Sequence, residues 1–188
     1  MEFNFSLGET RKDWIKLGAI TGVVEAVIIA GILSATVAVL GDLVIQIIKE
    51  LWSQTISPDV LGFGFLITLL AVLVIFMPIL AAVNGLLFAI SSKILNEFFS
   101  LFEIRATGYR AVIYVSTFAV VLVYSFELIA MFVYSVVTGD IIGIQGIVDA
   151  ISSFASFIFN IVLVVVSAIV AAIVWKELLK NDVEALKI

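Results

Sequence analysis

Residues 108–137, GYRAVIYVSTFAVVLVYSFELIAMFVYSVV, limit what this chain can fold into more than any other stretch. The run is nearly unbroken in its apolar character, opens with Arg110 and carries tyrosines along its length. Roughly 20 apolar residues suffice to cross a bilayer as a helix, so this segment spans with length left for tilt. One carboxylate, Glu127, lies deep inside it. A carboxylate at bilayer depth costs on the order of 2.5–3.5 kcal/mol on insertion scales, so it is expected to face protein or water rather than lipid.

The rest of the chain has the same character. Of 188 residues 63% are apolar and only 13% charged, with mean hydropathy +1.29; soluble domains run at roughly 45–50% apolar. The expected fold is all-α: one integral membrane domain over 1–188, a bundle of four transmembrane helices with short interfacial amphipathic helices. The chain has no cysteine and no histidine. That removes disulfides, thiolate nucleophiles, the commonest general base and the usual zinc or haem ligands. No phosphate loop, nucleotide fingerprint or Ser-His-Asp set is present, so neither enzymatic activity nor a cofactor, metal or nucleic-acid partner is expected. The first apolar run is too long for a secretory peptide and lacks a small-residue cleavage site, so it is expected to remain as an anchor.

Four spans are expected at about 15–40, 62–92, 110–137 and 151–175. A polar tail precedes the first, and Trp14 stands where an interfacial aromatic belt belongs. Span one carries Gly18, Gly22, Ala26, Ala30, Ser34 and Ala38, a small residue at every fourth position. Residues i and i+4 share a helix face, so these form a ridge that lets another backbone approach closely. The ridge has two candidate partners, another helix of this chain or a second protomer. Gly41-Asp42 marks the expected exit from the bilayer, followed by an amphipathic helix over about 43–54. Ser57-Pro58-Asp59 reads as a turn. In span two, Pro78 predicts a kink because it removes a backbone donor and clashes with the preceding turn. Residues 94–106 place Ile94, Leu95, Phe98, Phe99, Leu101 and Phe102 on one side, opposite Asn96, Glu97, Ser100 and Glu103. This predicts a helix lying on the membrane surface. Residues 176–188 form a charged, amphipathic helical tail.

Positive charge sets the orientation. Arg11, Lys12 and Lys16 precede span one, Lys93, Arg105 and Arg110 lie between spans two and three, and Lys176, Lys180 and Lys187 follow span four. Only Lys49 falls in the other two connections, so nine of ten cations share one face. The positive-inside rule assigns that face, and both termini, to the cytoplasm, here expected at a prokaryotic plasma membrane. An odd number of spans destroys the bias.

Few groups offer chemistry inside the spans. Glu25 lies roughly 13 Å from the cytoplasmic end of span one, and Asn84 lies roughly 12 Å from it on span two. Glu127 lies roughly 25 Å along span three, with Asn160 at roughly 22 Å on span four. Each carboxylate thus has an amide at matching depth on the next span, and an amide donates to a carboxylate. Span four adds Asp149, Ser153, Ser156 and Ser167 to the stripe of Asn160, and span three answers with Thr117, Tyr124, Glu127 and Tyr134. Three uses fit these groups: interhelical hydrogen bonds, a proton or cation site, or contact with another subunit. The carboxylates are separated by roughly 12 Å along the membrane normal, too far for paired-carboxylate hydrolysis.

Residues 84–137, with NGLLFAISSKILNEFFSLFEIRATGYRAVIYVSTFAVV and Tyr109, Arg110 and Tyr114 leading into span three, resemble the middle of a Yip1-domain membrane protein. The charged segment WKELLKNDVEAL is similar to the one before that family's last span. The double glycine usual before the third span is missing, and four spans stand where the family has five. The resemblance implies a polytopic membrane protein and carries over no functional residue. Two functional readings follow from the sequence: a non-enzymatic scaffold or accessory protein that packs with itself or other membrane subunits, or a transporter or channel component using Glu25 or Glu127.

Overall fold

A computed structural model of the chain describes residues 5–52, 67, 70, 72–138 and 144–185. All regular structure in it is helical: α1 (Arg11–Trp52), a five-residue π-helical segment (Val72–Phe76), α2 (Met77–Ser100), α3 (Tyr109–Thr138) and α4 (Ile144–Ala185). Among the described residues four stretches are long and apolar enough to cross a membrane: Arg11–Val37, Leu73–Ser100, Tyr109–Tyr134 and Phe154–Glu177. The four-span count therefore holds.

Each helix packs on its two neighbours in a ring, α1 on α2, α2 on α3, α3 on α4 and α4 back on α1, with the α1–α2 contact by far the most extensive. The backbones of the diagonal pairs do not come close among the described residues. Small residues explain why α1 and α2 meet most closely. A Cβ added at Gly18 would sit 2.8 Å from the Gly85 Cα and collide with the Asn84 carbonyl; one added at Gly22 would sit 2.5 Å from the Ala81 nitrogen and collide with the Leu80 carbonyl. Four residues up α1 correspond to four residues back along α2, so the pair is antiparallel. The ridge thus has its partner within the chain. Gly18, Gly22, Ala26 and Ala30 are buried, and the ridge fades at half-buried Ser34, whose hydroxyl donates to the Ala30 carbonyl (2.8 Å).

Three boundaries differ from the sequence reading. Helix α1 runs through Gly41-Asp42 without a break, because neither residue interrupts a helix in an otherwise apolar, helix-compatible run; the expected 43–54 helix is its continuation as far as Trp52. Residues 53–54, and most of span two before Val72, lie outside the described residues. Pro78 occupies the second position of α2, directly after the π-helical turn. Widening that turn moves the preceding carbonyl away from the proline ring, and a π turn is itself a site of helix bending. The expected surface helix over 94–106 is not separate: α2 continues to Ser100. There it ends with the Ile104 N–H donating to the Phe99 carbonyl (3.0 Å) and the Glu103 N–H to the Ser100 carbonyl (3.4 Å). This is a Schellman end with Glu103 in the left-handed region at φ 56°. Within this stretch Leu95 is buried and Phe99 packs edge-on to Tyr114, while Ile94, Phe98, Leu101 and Phe102 stay exposed. The single apolar side therefore divides between the bundle and the outside. Span four and the tail form one helix to Ala185.

The N-terminal segment is not a solvated tail. Ser6 and Thr107 form an isolated antiparallel bridge, with the Gly108 N–H donating to the Phe5 carbonyl. Gly108 takes φ 63° to turn the chain into α3, a conformation that glycine adopts without strain. Phe5 and Leu7 are buried, and Phe5 stands edge-on to Trp14 at 4.7 Å. Trp14 is wholly buried in consequence, so the strap over the bundle end replaces the expected interfacial belt at this residue. Thr10 starts α1 as its N-cap: the Asp13 N–H donates to the Thr10 hydroxyl (3.3 Å), which donates to the Asp13 carboxylate (2.5 Å). At the same bundle end the Lys16 ammonium lies 5.8 Å from the centre of the Trp175 ring, joining α1 to α4.

Candidate functional site: a buried carboxylate between α1 and α2

The close approach at Gly18 and Gly22 brings the next turn of α1 against α2. There the Asn84 amide donates to the Glu25 carboxylate over 2.7 Å. Only 7% of Glu25 and 6% of Asn84 remain exposed. Glu25 lies one residue past the midpoint of the Arg11–Val37 span and Asn84 within three residues of the midpoint of Leu73–Ser100. The pair is therefore both buried in protein and central in the bilayer-crossing region. A small-residue face makes this possible: with glycine rather than a larger side chain one turn below, the two backbones come near enough for short polar side chains to meet.

The second pairing came out differently. Asn160 on α4 donates not to Glu127 but to the Tyr124 hydroxyl, over 2.7 Å. Tyr124 also stands edge-on to Phe157 at 4.9 Å. Glu127 lies three residues beyond Tyr124 on the same side of α3, in a stretch where every residue from Ser125 to Tyr134 is exposed. On the count that puts Glu127 at roughly 25 Å, Tyr124 stands at roughly 21 Å and so matches Asn160, at roughly 22 Å, more closely. Of the two polar stripes, Tyr124 and Thr117 are half-buried and Ser167 is fully buried, whereas Tyr134 and Ser156 point outward. The side chains of Asp149 and Ser153 lie outside the described residues.

Chemically, Glu25 and Asn84 form a carboxylate–amide pair able to accept one proton or contact one small cation. Among the described residues no cluster of three potential metal-ligating side chains occurs. No protein family, curated protein or solved structure matches this chain. The site therefore has to be read from its own geometry. Three buried groups have hydrogen-bonding atoms without a partner among the described residues, the Trp14 indole nitrogen and the hydroxyls of Ser91 and Ser167, of which the sequence reading had singled out Trp14 and Ser167 but missed Ser91. Ser167 stands four residues before Ala171, a small-residue step that signals burial and says nothing about partners, whereas Ser91 has leucine four residues away on both sides.

Proposed function

We propose that this is a small non-enzymatic scaffold or accessory subunit of a membrane complex. The observation that carries the reading is Glu127. It lies within the Tyr109–Tyr134 span, roughly 27 Å along the helix from Tyr109 and 10 Å from Tyr134, in a stretch from Ser125 to Tyr134 that is exposed on every side, with Phe126, Leu128, Met131 and Phe132 around it. Facing lipid, the carboxylate costs on the order of 2.5–3.5 kcal/mol; facing a second subunit, it gains a donor and the cost is offset. The remaining polar groups of the bundle support a packing role, since Glu25 is bonded to Asn84 and Asn160 to Tyr124. The Yip1-like character of residues 84–137 agrees with a polytopic membrane protein of this kind.

A photocrosslinking residue at Met131, one turn from Glu127, tests the proposal in native membranes, with Val83 on the exposed face of α2 as control. A discrete protein adduct is expected from Met131, absent from Val83 and lost with Glu127→Leu. Its mass separates a second copy from a different subunit. Lipid adducts alone from both positions would overturn the reading.

A second reading rests on Glu25, a buried carboxylate at mid-span: proton or cation passage. Flux in proteoliposomes abolished by Glu25→Gln supports it, and an absence of flux in the unaltered protein removes it. Orientation belongs to the proposal as well. The strap, the α2–α3 connection and the Lys16–Trp175 contact share one bundle end, which the cation bias assigns to the cytoplasm of a prokaryotic plasma membrane. Cysteines placed at Asp59 and Asp140 in this cysteine-free chain are expected to react with an impermeant reagent from outside. A cysteine at Glu103 reacting from outside would reverse the orientation.

A further inference from the structure

At the cation-bearing end of the bundle a cavity of about 380 Å³ opens between the strap, the first turn of α1 and the flank of α2. Its wall is built from Leu7 and Glu9, from Arg11, and from Ile90, Lys93 and Asn96. The volume lies in the range of small-ligand sites, roughly 300–1,000 Å³. Two cations from different elements converge on it, and neither Arg11 nor Lys93 forms a salt bridge among the described residues. Asp13, the nearest acid in sequence to Arg11 on α1, is held by Thr10. One acid, Glu9, completes the polar lining.

The height of the cavity identifies its surroundings. The contact of Gly18 with Asn84 and Gly85 sets the register of the antiparallel pair and puts Arg11 level with Ser91 and Ser92. Taking the point midway between the Glu25 and Asn84 backbones as the middle of the membrane, Arg11 lies roughly 16 Å away and Lys93 roughly 18 Å away. The hydrocarbon half-thickness is about 15 Å and the headgroup zone extends to about 20–22 Å from the centre. Lys93 and Arg11 therefore both stand in the layer in which lipid phosphates sit, while exposed Ile90 and Leu86 continue the flank of α2 down into the acyl region.

We propose that this cavity holds the headgroup of an amine-bearing phospholipid. Its phosphate lies between Arg11 and Lys93 and its ammonium points toward Glu9. Guanidinium and ammonium donors form charge-assisted bonds to phosphate oxygens. The carboxylate opposes a bare phosphate dianion and accepts N–H donors from a primary ammonium, which a quaternary ammonium does not offer. The inference rests on the membrane placement of the four spans and is independent of the accessory-subunit reading.

Native mass spectrometry of the purified full chain provides the test, after incubation with phosphatidylethanolamine, phosphatidylcholine or phosphatidylglycerol. One tightly held phosphatidylethanolamine per chain is expected, retained at least about tenfold better than the other two, a difference of about 1.4 kcal/mol. Lys93→Gln should abolish retention, Glu9→Gln should erase the preference over phosphatidylglycerol, and Arg110→Gln, away from the cavity, should change nothing. Equal retention of all three lipids by the unaltered protein would overturn the proposal without recourse to any variant. So would a preference for phosphatidylglycerol, which marks a simple anion site. Displacement of the lipid by millimolar inorganic phosphate would assign the cavity to soluble phosphate instead.

Discussion

Gly22→Ala is the smallest change that tests how this bundle is held together. The added methyl carbon would sit 2.5 Å from the Ala81 nitrogen, with the Leu80 carbonyl also in collision. Ordinary contact needs roughly 3.5 Å, so α1 and α2 must separate by about 1 Å at this level. Both obstacles are backbone, and no rotamer change relieves them. Overpacking of this kind costs roughly 1–3 kcal/mol. The same movement stretches the hydrogen bond between Asn84 and Glu25 from 2.7 Å toward 3.7 Å, past the useful range. Weakening a bond to a carboxylate adds roughly 1–3 kcal/mol, so the total expected loss is about 2–6 kcal/mol. The assay is reversible unfolding in mixed micelles, with Val23→Leu as the partner measurement, because Val23 is 38% exposed one residue further round the helix. Val23→Leu should stay within about 0.5 kcal/mol of the parent. If the two variants unfold alike, the tight contact is not what holds α1 on α2, and the account of the Glu25 site fails with it.

Four further outcomes follow from single contacts. Asn84→Leu leaves the buried Glu25 carboxylate without its donor and should cost roughly 1–3 kcal/mol, whereas Glu25→Gln retains an amide partner and should cost less, both read by the same unfolding titration. Ser167→Ala removes a buried hydroxyl that has no partner, so stability should hold or rise; a loss above about 1 kcal/mol would show that the hydroxyl is bonded. Phe5→Ala opens the strap above Trp14, and the tryptophan emission should move to longer wavelength with a stability loss of roughly 3–5 kcal/mol. Glu103→Gly relieves a left-handed residue at an exposed helix end and should raise stability by about 1 kcal/mol, visible as a higher midpoint in the same titration.

Span number and the depth of each polar group were legible in the sequence because both depend only on position along the chain. A bilayer fixes the length of an apolar run, and a helix rises by about 1.5 Å per residue, so Glu25 and Asn84 could be matched by arithmetic. The four-residue ridge was also visible, since its period is that of the helix itself. What the sequence left open was rotation about each helix axis and the identity of the neighbour. Glu127 and Asn160 agree roughly in height, yet Asn160 meets Tyr124, one turn nearer the packed end, because α3 is exposed all round from Ser125 to Tyr134. Likewise, Gly18 and Gly22 specify a close contact without naming α2 as the helix that fills it. The least legible feature was the strap. Its polar composition indicated a solvated tail, but two apolar side chains, Phe5 and Leu7, and a backbone bridge to Thr107 tie it down and bury Trp14. Sequence period and length determine where a membrane helix begins and how deep its polar groups lie. Only the assembled bundle decides which way they face, because that choice is made by the surfaces of the other helices.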